Sequence, residues 1–230
     1  MAGAYDVAFL ECERCGEDIV IARFERPSGY GYAAGQWFTL RLDTDDGLVA
    51  RTFSHSSAPS DTFIELTTRI STSAFKRALD ALVPGQIVHI AGPGGHLTLS
   101  DHPPEVAFLV GGVGITPVRS ILRQAKAENR GFADALLVYG SRDDSCVPFR
   151  GELASMGGIG VRLVECYERP PVGWGGESGF ITADVVRRHV DPDDGRPFIV
   201  TGPPDKVAAM ERVLDELRVE PTRRRIERFT

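Results

Sequence analysis

Val106-Ala107-Phe108-Leu109-Val110 runs directly into Gly111-Gly112-Val113-Gly114-Ile115-Thr116-Pro117. The first five residues are wholly apolar, as in a strand covered on both faces of a parallel sheet. The glycines allow a tight turn and a close approach of backbone N–H groups to an anion at a helix start. Pro117 suits the first helical position, because a missing N–H breaks no intrahelical bond there. The spacing is Gly-x-Gly-x-x-Pro, not the Gly-x-Gly-x-x-Gly fingerprint, and no Gly-Lys-Ser/Thr follows as a Walker loop requires. A ligand-free strand-to-helix turn and a phosphate-binding turn both stay open on these residues alone.

Toward the C-terminus the same alternation continues. It predicts helix Val118–Ala127, strands Ala135–Tyr139 and Val161–Tyr167, helix Ala183–Val190, strand Phe198–Thr201, helix Val207–Leu217 and an edge strand Ile226–Phe229. Apolar strands alternating with helices form a parallel α/β sheet. Toward the N-terminus the pattern changes to short runs of period two: Ile19–Phe24, Trp37–Leu42, Leu48–Phe53, Phe63–Thr68 and Ile87–Ala91, with one helix over Ser73–Leu82. Such a series predicts a small antiparallel barrel or sandwich. Asp101-His102-Pro103-Pro104 is the natural joint, since two prolines end either element. The expected organisation is a barrel domain over 1–101 and an α/β nucleotide-binding domain over 102–230.

Composition removes several function classes. The chain has 230 residues, 42% apolar and 25% charged, which is ordinary for a globular protein. With 26 Lys+Arg against 32 Asp+Glu the formal charge is -6, which argues against nucleic acid as the main partner. No apolar run approaches the roughly 20 residues of a membrane span, and Met1–Asp6 shows no secretory signal. Four cysteines make no disulfide scaffold and fit a reducing compartment, so a cytoplasmic protein is expected.

Three further segments carry chemistry. Tyr139-Gly140-Ser141-Arg142-Asp143-Asp144 ends the second α/β strand, where dinucleotide folds meet the adenosine ribose. An acid there selects a free 2′-hydroxyl and an arginine a 2′-phosphate; both are present. Thr201-Gly202-Pro203-Pro204 is a second strand-to-helix turn at a strand's carboxyl end. Arg51-Thr52-Phe53-Ser54-His55-Ser56-Ser57 joins a cation, an aromatic and several hydroxyls, a set suited to a ligand with a phosphate and a flat ring.

Taken in order, these motifs resemble the ferredoxin–NADP reductase family of flavoproteins. The family's Arg-x-Tyr-Ser/Thr flavin motif matches Arg51-Thr52-Phe53-Ser54, and its Gly-Pro-x-Gly segment matches Gly92-Pro93-Gly94-Gly95. Its nucleotide turn matches Gly111 through Pro117, and its late Cys-Gly-Pro-Pro turn matches Thr201-Gly202-Pro203-Pro204. Gly35-Gln36 and Trp174 with Gly179 fit as well, so the resemblance covers nearly the whole chain.

The resemblance implies a flavin-binding barrel holding FAD, the family's usual choice over FMN, and an α/β domain taking NADPH or NADH. It makes Arg51 a flavin phosphate ligand with Thr52 beside it, puts Phe53 against the isoalloxazine, and sets Ser54 near flavin N5. Thr68, Arg69 and Ile70 would line the flavin's edge, and Ser71, Thr72 and Ser73 would meet its pyrophosphate at a helix start. Gly111, Gly112, Val113 and Gly114 would hold the dinucleotide phosphates, and Thr116 and Pro117 would lie near the nicotinamide. Ser141 and Arg142 would meet the adenosine side; Gly202 and Pro203 would close the crevice. Ser54, Thr116 and Thr201 are thereby the candidates around the reacting atoms. Phe53 departs from the family's tyrosine and Thr201 from its cysteine. The C-terminal stretch has no cysteine cluster for an iron–sulfur centre, so the implied acceptor is a separate electron carrier such as a ferredoxin.

Two other readings share this fold: a reductase that releases flavin as a product, and a nucleotide-binding module without catalysis. No metal site is expected. Cys12-x-x-Cys15 lacks two further ligands, since Cys146 and Cys166 lie in the other half, and the histidines at 55, 89, 96, 102 and 189 form no ligand spacing. Ser178 lies in Gly-Glu-Ser-Gly, which is not a hydrolase elbow. His55 reads as a solvated neighbour of the flavin motif or a contact to its ligand. Arg223-Arg224-Arg225 reads as a solvated turn and, with Arg187 and Arg188, as docking charge for an acidic carrier.

Overall fold

The computed structural model describes residues 3–99 and 103–229, so the expected joint at Asp101 and His102 lies outside the described residues. The first half holds β1 (Gly3–Cys15), β2 (Ile19–Glu25), β3 (Trp37–Thr44), β4 (Gly47–Ser54), β5 (Phe63–Arg69), α1 (Ala74–Asp80) and β6 (Ile87–Gly94). These strands pair antiparallel in the order β4-β3-β6-β1-β2-β5. Alternate residues such as Val7, Phe9, Val20, Phe24, Phe38, Leu40, Ile64, Leu66, Val88 and Ile90 fill one core. The sheet curls until its edges meet, where Ser56 N–H donates to the Glu65 carbonyl at 2.8 Å just beyond β4. The period-two signal misses β1, because Glu11, Glu13 and Arg14 are exposed and only Val7 and Phe9 are buried along it.

The second half holds β7 (Glu105–Gly111), α2 (Ile115–Ala127), β8 (Asp134–Ser141), α3 (Arg150–Ala154), β9 (Val161–Tyr167), β10 (Glu177–Ser178), α4 (Ala183–His189), β11 (Phe198–Gly202), α5 (Pro204–Glu216) and β12 (Arg224–Arg228). All its strand pairs are parallel, in the order β10-β9-β8-β7-β11-β12. The order runs away from β7 in both directions, so the end of β7 is the topological switch point where such sheets bind ligands. Residues 106–110 of β7 are all fully buried, with side chains shared between two cores on the two faces.

Three expectations change here. Helix α2 starts at Ile115, directly after a 3₁₀ turn over Gly112–Gly114, so Pro117 is not its first residue. Proline is tolerated there because the first four helical N–H groups have no intrahelical acceptor. The Arg223–Arg225 triplet is not a solvated turn. Arg223 bonds the Arg196 and Pro192 carbonyls, Arg224 the Val219 and Leu214 carbonyls, and Arg225 the Thr98 carbonyl. Arg187 is paired with Asp184 and Arg188 with Glu177, so none of these five stands free as docking charge. Finally, Cys15 and Cys146 are joined in a disulfide, with Cα atoms 5.5 Å apart across 131 residues of sequence. Chain distance hides this pairing; the fold brings the β1–β2 turn against the loop after β8. No helix among the described residues is long and apolar enough to cross a membrane.

Candidate active site

A cleft of about 470 Å³ opens between the two halves, within the usual range for ligand sites. The ends of β4 and β5 form one wall, α1 adds Lys76, the glycine turn adds Val113 and Thr116, and the chain after β12 closes the far side. Trp37 also faces it, and its indole fills the space where side chains at Gly94 and Gly95 would overlap the ring.

The cleft's cations lack anions. Arg51 is exposed and donates only to the Ala50 carbonyl at 2.8 Å, with no carboxylate partner among the described residues. Lys76 is half-buried; its ammonium bonds the Thr68 hydroxyl and lies 4.7 Å from the Phe53 ring centroid. Burial, reinforced by Arg51, lowers the Lys76 pKa to about 8. Two cations held together without a carboxylate leave room for an anion, and the Phe53 face beside them suits a flat ring. The donor set therefore fits a flavin nucleotide. If Lys76 meets its phosphates, raising the pH through about 8 removes that positive charge and weakens binding. Between pH 7 and 9 the FAD Kd is expected to rise about tenfold, the worth of one charge-assisted bond. Lys76→Met should bind weakly and lose this pH dependence; a wild-type Kd that is flat over that range overturns the assignment.

Ser54 is buried at the end of β4 and donates to Glu227 Oε1 at 3.2 Å. Burial raises the Glu227 carboxyl pKa, which favours its protonated form. Phe229 follows, its N–H donating to the Gly202 carbonyl at 2.9 Å. Glu227, Phe229, Lys76 and Trp37 were not legible as site residues, because none belongs to a motif.

The glycine turn is built against β11. A side chain at Gly114 would collide with the Thr201 carbonyl, so the two strand-end turns approach backbone to backbone. Thr201 is fully buried, and its hydroxyl donates to the Gly114 carbonyl. It therefore fastens one turn to the other instead of presenting a hydroxyl to the cleft. Thr116 lines the cleft while bonding the Val113 carbonyl at 3.1 Å; Pro117 is buried behind it. Gly112, at φ +54, has open space around it. Gly111 lies in a smaller hollow with Gly140, Phe180 and Lys206.

The remaining candidates divide. Thr52 bonds Thr39 across the strands at 3.3 Å and faces the cleft, as do Phe53 and Thr68. Arg69 is paired with Asp18, and Ile70 donates its N–H to the Asp18 carbonyl and packs on the barrel core. Ser71, Thr72 and Ser73 are exposed before α1, where Ser73 caps the helix by accepting from the Lys76 N–H. Ser141 is buried with its hydroxyl unpartnered. Arg142 is exposed with no carboxylate partner among the described residues, whereas Asp143 is held by Arg169 and Ser145. Gly202 and Pro203 lie at the β11 end, facing the glycine turn. His55 is not solvated. It is fully buried, bonded to the Gln36 carbonyl and the Tyr30 hydroxyl at 2.7 and 3.0 Å, and stacked on Tyr32. Burial lowers its pKa to about 3, so it stays neutral and structural.

An ion network locks the two halves. Arg119 of α2 donates to Glu65 Oε1 at 2.5 Å and the Ser56 carbonyl at 2.6 Å, and pairs with Glu152 at 2.8 Å. Glu65 is fully buried and also accepts from Arg23 and Ser56. Arg123 pairs with Asp61 and Glu152 alongside. Thus the helix carrying Thr116 is registered against the strand carrying Thr67 and Thr68.

Comparison with known proteins agrees with this geometry. Residues 7–99 match the oxidoreductase FAD-binding domain and residues 108–212 the oxidoreductase NAD-binding domain. Ferredoxin–NADP reductase B of Sorangium cellulosum is 30% identical over 219 residues, covering 90% of this chain and 89% of that protein. NADH-cytochrome b5 reductase 2 of Homo sapiens is 25% identical over 238 residues, covering 87% and 85%. The crystal structure of a ferredoxin NADP+ reductase from Neisseria gonorrhoeae with bound FAD and NADP superposes with a TM-score of 0.84 at 20% identity, covering 98% of both chains. With both domain models and a full-length relative in agreement, the chain belongs to the ferredoxin–NADP reductase-like family and is an NAD(P)H-dependent, FAD-binding oxidoreductase.

Proposed function

We propose that the protein oxidises NADPH and passes the electrons to a separate carrier protein such as a ferredoxin. When bound, FAD supplies the chemistry: N5 accepts hydride from nicotinamide C4, and the electrons leave singly or as a pair. The residues do the rest. Arg51 and Lys76 hold phosphate, Phe53 offers its ring face, and Gly111–Gly114 with Thr116 position the dinucleotide. Ser54 and Glu227 hold a proton at the cleft wall. Thr201 is a positioning residue that keeps the two turns in contact.

One observation carries the choice of donor. At the end of β8 one acid, Asp143, is already occupied by Arg169 and Ser145, while Arg142 has no carboxylate partner among the described residues. A 2′-phosphate therefore meets an available arginine, while exposed Asp144 beside it is left for a 2′-hydroxyl. A ferredoxin as acceptor is supported by the name of the 30% identical relative.

Anaerobic absorption spectra of the purified protein test this. Flavin bands should bleach with NADPH at concentrations where NADH acts slowly, and the reduced protein should reduce an added ferredoxin. Arg142→Ala should raise the KM for NADPH about tenfold, one charge-assisted contact, and change that for NADH little. Equal use of both nucleotides by the wild type overturns the donor assignment. A colourless protein that turns over only with added flavin supports the flavin-as-substrate reading instead.

A further inference from the structure

Cys12-x-x-Cys15 has no role in the chemistry above, and the structure divides the pair. Both lie on β1, where three residues of extended chain span about 10 Å, beyond the roughly 7 Å Cα limit of a disulfide. Cys12 is a free, exposed thiol, whereas Cys15 is bonded to Cys146. That bond is a covalent tie between the barrel and the nucleotide-binding half. Both its cysteines are half-buried and so within reach of solvent. Around it the two surfaces press together: a side chain at Gly16 would lie 2.8 Å from the Cys146 Cβ.

The tie fixes where the loop carrying Arg142 lies against the barrel. Cys146 lies in the loop that begins with Arg142; Cys15 begins the turn whose Asp18 pairs with Arg69. Burial first, and then the Arg142 charge, lower the Arg69 pKa. Arg69 is already paired with Asp18, so the charge this face offers to an anion is that of exposed Arg142. Other links between the halves run through Arg119, Arg123, Ser60–Gln124, Ser54–Glu227 and Arg225–Thr98, and none of these lies on the loop after β8.

We propose that Cys15–Cys146 is a thiol–disulfide exchange site whose oxidised state holds the Arg142 loop against the barrel and so strengthens binding of the 2′-phosphorylated nucleotide. This rests on the assignment of Arg142 to that phosphate. A dithiol opens the site in two steps. Its thiolate attacks one sulfur, displacing the other cysteine as a thiolate that takes a proton. Its second thiol then closes the reductant's own disulfide and releases the first cysteine. Two electrons pass from the dithiol to the cysteine pair, and two protein thiols form; a small disulfide reverses the exchange.

The test uses the flavin-loaded protein. Thiols are counted after denaturation, with and without prior dithiothreitol, and NADP+ and NAD+ affinities are measured by calorimetry in both states. Two free thiols before treatment and four after are expected from Cys12, Cys166 and the bonded pair. Reduction should weaken NADP+ about fivefold, a modest allosteric coupling, and NAD+ less. Cys146→Ser should match the reduced wild type and ignore dithiothreitol. Four thiols even after incubation with oxidised glutathione would sink the proposal, as would NADP+ affinity unchanged by reduction. Arg142→Ala separates the two layers. If it weakens NADP+ while dithiothreitol does nothing, only the redox coupling is overturned; if it leaves NADP+ unchanged, the phosphate assignment falls and the coupling with it.

Discussion

Arg119→Met is expected to lower stability by about 3 kcal/mol, the low end for removing one partner of a buried ion pair. Glu65 is fully buried and receives Arg119 on one carboxylate oxygen and Arg23 on the other. With Arg119 gone, Glu65 Oε1 keeps only the neutral Ser56 hydroxyl as donor, and the Ser56 carbonyl loses its donor. The retained Arg23 keeps the loss from the upper range. At roughly 2–4 °C per kcal/mol for a chain of this size, the melting temperature should fall by about 6–12 °C. Arg119→Met with Glu65→Gln should recover much of it, since the stranded charge is then removed. A single-variant loss below about 1 kcal/mol would mean that water already reaches Glu65. The network also sets the width of the cleft, so the single variant should bind FAD more weakly even at temperatures where it stays folded.

The fold was legible where pattern and burial coincide. The run Val106–Val110 is apolar because both faces of β7 are covered, and the glycine turn after it lies at the switch point of the sheet. Short alternating strands reported the barrel for the same reason. The strand β1 was lost because an edge of exposed charges breaks its alternation. The site was legible only where a motif keeps its members adjacent in sequence, as in Arg51–Ser54. Glu227 belongs to Arg-Arg-Ile-Glu-Arg, a strand with no apolar alternation, and it reaches Ser54 only because β12 pairs beside β11. Lys76 reads as one more helix cation until α1 is seen to start at the cleft. Thr201 differs in another way: it lies at the strand end where the motif has it, but its hydroxyl faces Gly114. Side-chain direction depends on packing that neighbouring sequence does not encode.

Glu227→Gln should separate proton handling from folding. Glu227 is half-buried, and its only side-chain hydrogen bond among the described residues is the one from Ser54. Burial raises its folded pKa above the unfolded value. The sign follows from linkage: its contribution to stability is fully present below the unfolded pKa and is lost as pH rises through the folded one. At neutral pH the native carboxylate is therefore destabilising relative to a neutral amide of the same shape. Glu227→Gln should hold or raise the melting temperature at pH 8, with the difference from wild type shrinking toward pH 4. Turnover should respond in the opposite sense. If Ser54 and Glu227 deliver the proton that accompanies reduction in the cleft, removing the titratable group should cost about a hundredfold in kcat, the lower range for general acid–base catalysis. Ser54→Ala should produce a comparable loss, and the double variant little more, because the two act along one hydrogen bond. A Glu227→Gln protein that is more stable and equally fast would assign the pair to packing alone. One that is more stable and slow, with FAD affinity intact, places the proton at Glu227.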